Sequence, residues 1–272
     1  MAAWRRVTGE DISGGTPLWL NAFGDANRQA ACYRRGRVLL AGDAAHRQMP
    51  IGGQALNLGL QDAVNLGWKL AAQVRGHAPA GLLDTYHAER HAVGRRVLAN
   101  IRAQAAILLG DSTVEPLRAL LGELLAIPAA RAHLAAMISG VDVRYDTHHD
   151  IHHDTGDRSH HPLLGRRLPL DLAAPVRAAA RAGGWSLLDR AGSLRAAAEP
   201  WGARITVAGA GTDLGHGAAG VLVRPDGHVA WAGADPRPLR AALRRWLGPP
   251  DPHRADDRSR GPLDRSLTEA ES

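Results

Sequence analysis

The sequence predicts an α/β protein in two units, and three observations carry that expectation. A short apolar run, Arg37-Val38-Leu39-Leu40-Ala41-Gly42, ends at a Gly-Asp pair and is followed by Gly52-Gly53 and a long helical pattern. A run of this kind suits a strand at the buried centre of a parallel sheet. The polar, histidine-rich stretch 142–162 then interrupts the chain as a linker or exposed loop does. Beyond it, short apolar strands alternate with helical segments. The expected divisions are 1–142, a linker at 143–160, a second unit at 161–248, and a charged, proline-containing tail at 249–272 that reads as disordered.

In chain order, Pro17–Phe23 alternates weakly and reads as β structure, as does 37–42. Leu56, Leu60, Val64, Trp68 and Ala71 recur at helical spacing and are the expected buried face of the following helix, which Gly76 and Pro79 end. A second helix is expected from about Ala80 to Leu109, with Leu83, Tyr86, Arg90, Val93, Val97 and Ile101 on one face, and a third over roughly 114–138. In the second unit, helices are expected near 173–182, 193–200 and 238–247, with strands at 185–188 and 204–208. Segments 219–224 and 228–232 should form a hairpin around Pro225-Asp226-Gly227.

Composition excludes several classes. No apolar run reaches the roughly 20 residues that span a bilayer, and the first residues have no apolar stretch of the signal-peptide kind, so a cytoplasmic protein without a membrane role is expected. Cys32 is the sole cysteine, which rules out an internal disulfide and CxxC chemistry. Arginines supply the basic excess but are scattered, and aromatics make up 4%, against nucleic-acid binding.

The stretch 36–69 carries the chemistry. A strand would deliver Asp43 at its C-terminal end, where open α/β sheets bind ligands. Pro50 fixes the backbone, and Gly52 and Gly53 let the main chain approach a flat ligand without a Cβ in the way. A helix starting near Gln54 aims free N–H groups and about half a positive charge at whatever lies before it. The pattern GD-x₆-P-x-GGQ-x-LN-x-G-x-QDA-x-NL-x-WKL resembles the second FAD fingerprint of the class A flavoprotein monooxygenases, most closely the aromatic polyketide hydroxylases. The similarity continues through Leu83–His91, His161–Arg166 and Arg224–Trp231, and so covers about residues 4–248.

The resemblance implies an FAD-binding domain like that of para-hydroxybenzoate hydroxylase, incomplete here, followed by a thioredoxin-like α/β domain without redox cysteines. It implies that Asp43, after Gly42, binds the ribityl chain, and that Pro50, Gly52, Gly53, Gln54, Leu56 and Asn57 border the isoalloxazine ring. NADPH or NADH would reduce FAD, and a flavin C4a-hydroperoxide would hydroxylate an aromatic, polyketide-like small molecule. The cofactor carries that chemistry, so no residue is assigned as catalytic and His46 reads as a structural loop histidine. Glu89 and Arg90 are expected to form structural ion pairs.

Two departures qualify the pattern. No GxGxxG follows a strand near the start, so the pyrophosphate site is expected from elsewhere, and Ala55 stands where the family usually has glycine. The alternative reading is therefore a non-catalytic fragment, or a half that binds a chain supplying the missing Rossmann unit. A weaker alternative is a metal module built on Asp146, His148, His149, Asp150, His152, His153, Asp154, His160 and His161; no metal site is assigned.

Overall fold

The structure is a computed structural model that describes residues 2–16, 18–19, 24–146, 161–181, 183–211 and 213–250. Helix α1 (Ala2–Thr8) is followed by four two-residue strands: β1 (Arg28–Gln29), β2 (Arg34–Arg35), β3 (Val38–Leu39) and β4 (His46–Arg47). These pair antiparallel as β1 with β4 and β2 with β3. Most of the expected strand at 17–23 lies outside the described residues, and within it Leu18 is 98% exposed.

The run 37–42 is not a buried central strand. Gly36, at φ +59°, turns the chain so that β3 folds back on β2 as a hairpin. Val38 faces outward, while Leu39 and Leu40 lean onto a cluster of Tyr33, Ala45, Leu66, Leu83 and Tyr86. A hairpin with one side on two helices satisfies four consecutive apolar residues as well as a sheet centre does.

Helices α2 (Gln54–Val74) and α3 (Asp84–Leu109) form the frame of the first unit. The apolar face expected of α2 is mostly on the outside: Leu56, Leu60 and Val64 are 73%, 54% and 52% exposed, and of that set only Trp68 is buried. The inward face carries Leu58, Asp62, Asn65, Leu66 and Lys69 instead. Three polar groups are tolerated there because each has partners supplied by α3 or the loop before α2. The third helical stretch divides at Pro128 into α4 (Glu115–Ala126) and α5 (Pro128–Ser139), bent by 103°, since proline removes a donor and clashes with the preceding turn. No single helix among the described residues is long and apolar enough to cross a membrane.

The second unit adds α6 (Arg177–Arg181), β5 (Trp185–Asp189), α7 (Arg195–Ala198), β6 (Ile205–Gly209), β7 (Gly220–Val223), β8 (Val229–Gly233) and α8 (Pro236–Leu247). The sheet order is β6-β5-β7-β8, with β5 and β6 parallel and the other pairs antiparallel. The expected hairpin at Pro225-Asp226-Gly227 is formed, with Gly227 at φ +81°. Side chains alternate across the sheet: Leu187 and Leu222 face α7 and α8, while Leu188, Val221 and Val223 face the segment containing Leu164, Leu168 and Val176. Helices and strands are thus combined, as the α/β class requires.

The two units share one core. Trp68 of α2 and Leu82 join the α8 side of the sheet, where Trp68 meets Trp185 edge-on at a centroid distance of 5.5 Å.

Candidate functional site

The loop between β3 and α2 is shaped by backbone constraints. Gly42 sits at φ +57° at the start of a single 3₁₀ turn, Gly42–Ala44, and packs against Gly59 of α2 so closely that a Cβ on Gly59 would lie 3.3 Å from the Gly42 Cα. The turn leaves Asp43 exposed, and its carboxylate has no hydrogen bond or ion pair among the described residues. Gly52 and Gly53 follow at φ +69° and +64°, and Gly53 is the N-cap of α2 without any side-chain cap. A Cβ on Gly52 would come within 2.8 Å of Gln104 Oε1, whereas one on Gly53 would meet nothing within 4 Å. The first N–H groups of α2 therefore start behind two glycines and without a capping side chain.

Of the residues expected at this site, Asp43, Pro50, Gly52, Gly53, Leu56 and Asn57 are exposed around the loop, and Gly42 is half-buried beneath it. Gln54 differs. It is buried, and its Nε2 donates to Asn100 Oδ1 at 3.1 Å, an oxygen that also accepts from Gln104 Nε2 at 2.6 Å. This run of three amides ties the start of α2 to the middle of α3. The adjoining cavity lined by Asn57, Val93, Val97 and Met137 holds about 200 Å³, below the roughly 300 Å³ of small drug-sized sites. The open face of the loop is the candidate site.

Beneath the loop lies a buried carboxylate. Asp62 accepts from the Gly42 N–H at 3.0 Å, meets His46 Nε2 at 2.6 Å, and accepts from Arg90 Nε at 2.6 Å. Burial alone would raise its pKa, but the contacts to His46 and Arg90 prevail and hold it below the usual carboxylate range. Arg90 is fully buried; it also donates to Leu58 O, Gln61 Oε1 and the Tyr145 hydroxyl.

A second buried network joins the units. Arg224 makes two hydrogen bonds to Glu89, at 2.6 and 2.9 Å, and two to Asp226, at 3.0 and 2.5 Å. Lys69 reaches Glu89 at 2.9 Å, and Trp68 Nε1 donates to Asp226 at 3.1 Å. Burial opposes ionisation of Glu89, yet Arg224 and Lys69 draw its pKa down to about 2. The ion pairs expected of Glu89 and Arg90 are formed, and they are buried.

Asp62 stands in the QDA motif, and its position one helical turn after Gly59 signals a shared face toward Gly42. Nothing local in the sequence marks Tyr145 or Arg224 as partners of α3. Most of the histidine-rich candidates, His148 to His160, lie outside the described residues, and no cluster of three potential ligands occurs among the described ones.

A family model described as an FAD binding domain matches residues 1–101, and one described as the C-terminal domain of aromatic-ring hydroxylases matches 161–250. The rifampicin monooxygenase of Streptomyces venezuelae is 45% identical over 248 residues, covering 90% of this chain and 49% of that protein. The 12-dehydrotetracycline 5-monooxygenase/anhydrotetracycline 6-monooxygenase of Streptomyces rimosus is 42% identical over 266 residues, covering 92% and 51%. Among solved structures, CabE, an aromatic hydroxylase from angucycline biosynthesis, superposes with a TM-score of 0.79 at 46% identity, over 92% of this chain and 52% of that one. The chain spans about half the length of the relatives it matches.

Proposed function

The chain belongs to the FAD-dependent aromatic-ring hydroxylases, and on that premise we propose that it supplies the ribityl and isoalloxazine side of the flavin site of an aromatic monooxygenase. The observation that carries this reading is the loop between β3 and α2: it presents an exposed Asp43 with no hydrogen bond or ion pair among the described residues, and it ends in two left-handed glycines and an uncapped helix start. The residues fit the group. A carboxylate suits ribityl hydroxyls, and backbone without a Cβ suits a flat ring, while the left-handed conformation of Gly52 and Gly53 disfavours a side chain at either position.

FAD, when bound, supplies the redox and oxygen chemistry, with NADPH or NADH as reductant. The protein's own part is to bind and orient. Asp43 fixes the ribityl chain, Pro50 and the Gly52–Gly53 backbone border the ring, and the α2 N-terminus favours negative charge at the ring edge nearest it. Gln54 acts one step back, holding the helix start through Asn100. The substrate class is an aromatic, polyketide-like small molecule, by analogy with the tetracycline and angucycline enzymes.

The exposed Leu56, Leu60 and Val64 favour a further element in the working enzyme: an α/β segment covering this face and supplying the pyrophosphate contacts. The first test is direct. The purified chain, mixed with FAD and desalted, is expected to retain visible flavin bands, and Asp43→Ala is expected to weaken retention at least tenfold, about one lost charge-assisted hydrogen bond. Equal retention by both proteins would overturn the assignment of Asp43.

A further inference from the structure

We infer that Asp62 is the positioning residue of the flavin loop, and that the C-terminal unit holds it in place through Tyr145 and Arg90. The inference rests on the reading of the loop as the flavin site. A continuous path of buried groups connects the two. Asp62 fixes both ends of the turn that presents Asp43, through the Gly42 N–H on one side and the His46 ring on the other. Its second oxygen accepts from Arg90, whose Nη1 donates to the Tyr145 hydroxyl at 3.1 Å.

Tyr145 in turn belongs to the C-terminal unit by its contacts. Its backbone N–H donates to Gly165 O at 2.9 Å, its ring lies 4.3 Å from that of His228, and the Arg224 guanidinium sits 5.0 Å from its ring centre. Gly165 is required for this approach: it has φ +72°, and a Cβ there would fall 2.0 Å from Tyr145 O. Tyr145 and Asp62 are both almost fully buried, which strengthens the hydrogen bonds each makes to Arg90.

The arrangement assigns a purpose to a unit that has no cysteine of its own. The β7–β8 turn acts as a strut. It braces Tyr145, Tyr145 and Asp62 immobilise Arg90, and Asp62 sets the backbone that aims Asp43. None of Asp62, Arg90 and Tyr145 is exposed at the loop surface, so each acts through Gly42 and His46 and not by touching the flavin.

The test uses the whole chain, with Tyr145→Phe as the mild variant that deletes one hydroxyl and Asp62→Asn as the strong one. Amide hydrogen exchange is followed by mass spectrometry, together with FAD affinity and the shape of the bound flavin's visible band. Exchange across 42–48 should accelerate about fivefold in Tyr145→Phe and at least tenfold in Asp62→Asn, the scale of a lost hydrogen bond to a charged group. Peptides of β5–β8 should exchange as before, and FAD affinity should fall in the same order with an altered band. Unchanged exchange at 42–48 in Tyr145→Phe, or equal acceleration everywhere, would overturn the inference. So would full FAD affinity in both variants alongside its loss in Asp43→Ala. A loosened loop with FAD affinity unaltered in every variant, Asp43→Ala included, would support the strut and overturn the flavin reading instead.

Discussion

Replacing Arg224 by alanine is expected to destabilise the protein by about 3–5 kcal/mol, the cost of leaving buried charges without their partner. Arg224 is 1% exposed and makes four hydrogen bonds to two carboxylates, Glu89 from α3 and Asp226 from the β7–β8 turn. Alanine removes the cation bonded to both carboxylates and leaves Asp226 to the neutral donors Asn65 and Trp68, to His228 and to the field of Lys69. Arg190, whose pair with Asp213 is exposed at 53% and 73%, provides the control, and its alanine variant should lose less than about 1 kcal/mol. Urea midpoints measured on both variants decide the matter. Equal losses would mean that the buried network does not hold the units together.

Stability should also fall steeply on acidification from about pH 4.5 towards 2. Glu89 has an ordinary pKa near 4.5 and about 2 in the folded protein. Burial pushes it up, but Arg224 and Lys69 pull it further down. In that window the unfolded chain binds the proton and the folded one does not, so stabilisation complete above 4.5 drains away as the pH drops through 2. Glu89 alone accounts for on the order of a few kcal/mol. Asp62 and Asp226 are also lowered and act with the same sign. Lys69 behaves differently: burial lowers it to about 8, so its contribution grows as the pH rises from there towards 10.5. Unfolding free energies measured from pH 7 to 3 should show the acid slope, reduced in Glu89→Gln. A slope unaltered by that substitution would remove Glu89 from the account.

The sequence made parts of this fold legible and hid others for physical reasons. The end of α2 just before Gly76, the end of α3 at Leu109 and the hairpin at Pro225-Asp226-Gly227 follow from local rules that tertiary context did not override. Burial on α2 did not follow. Periodicity assigns apolar residues inward, but Asp62, Asn65 and Lys69 occupy the inner face because α3 and the second unit supply their partners. Those partners are up to 161 residues away along the chain, beyond any local signal. The run at 37–42 was ambiguous for a related reason, since a short apolar segment is equally satisfied by a hairpin lying on helices. At the candidate site the sequence singles out the glycines, Pro50 and Asp43 as candidates, whereas the buried position of Gln54 depends on Asn100 and Gln104, which no motif marks.

Comparison of riboflavin with FAD as ligands tests the central claim most directly. Riboflavin carries the isoalloxazine ring and ribityl chain but no pyrophosphate, and these are the two parts assigned to this chain. Fluorescence titrations should give dissociation constants for the two flavins within about threefold of each other, less than 1 kcal/mol apart. Asp43→Ala should weaken both at least tenfold. FAD binding far tighter than riboflavin, with Asp43→Ala without effect on either, would contradict the account.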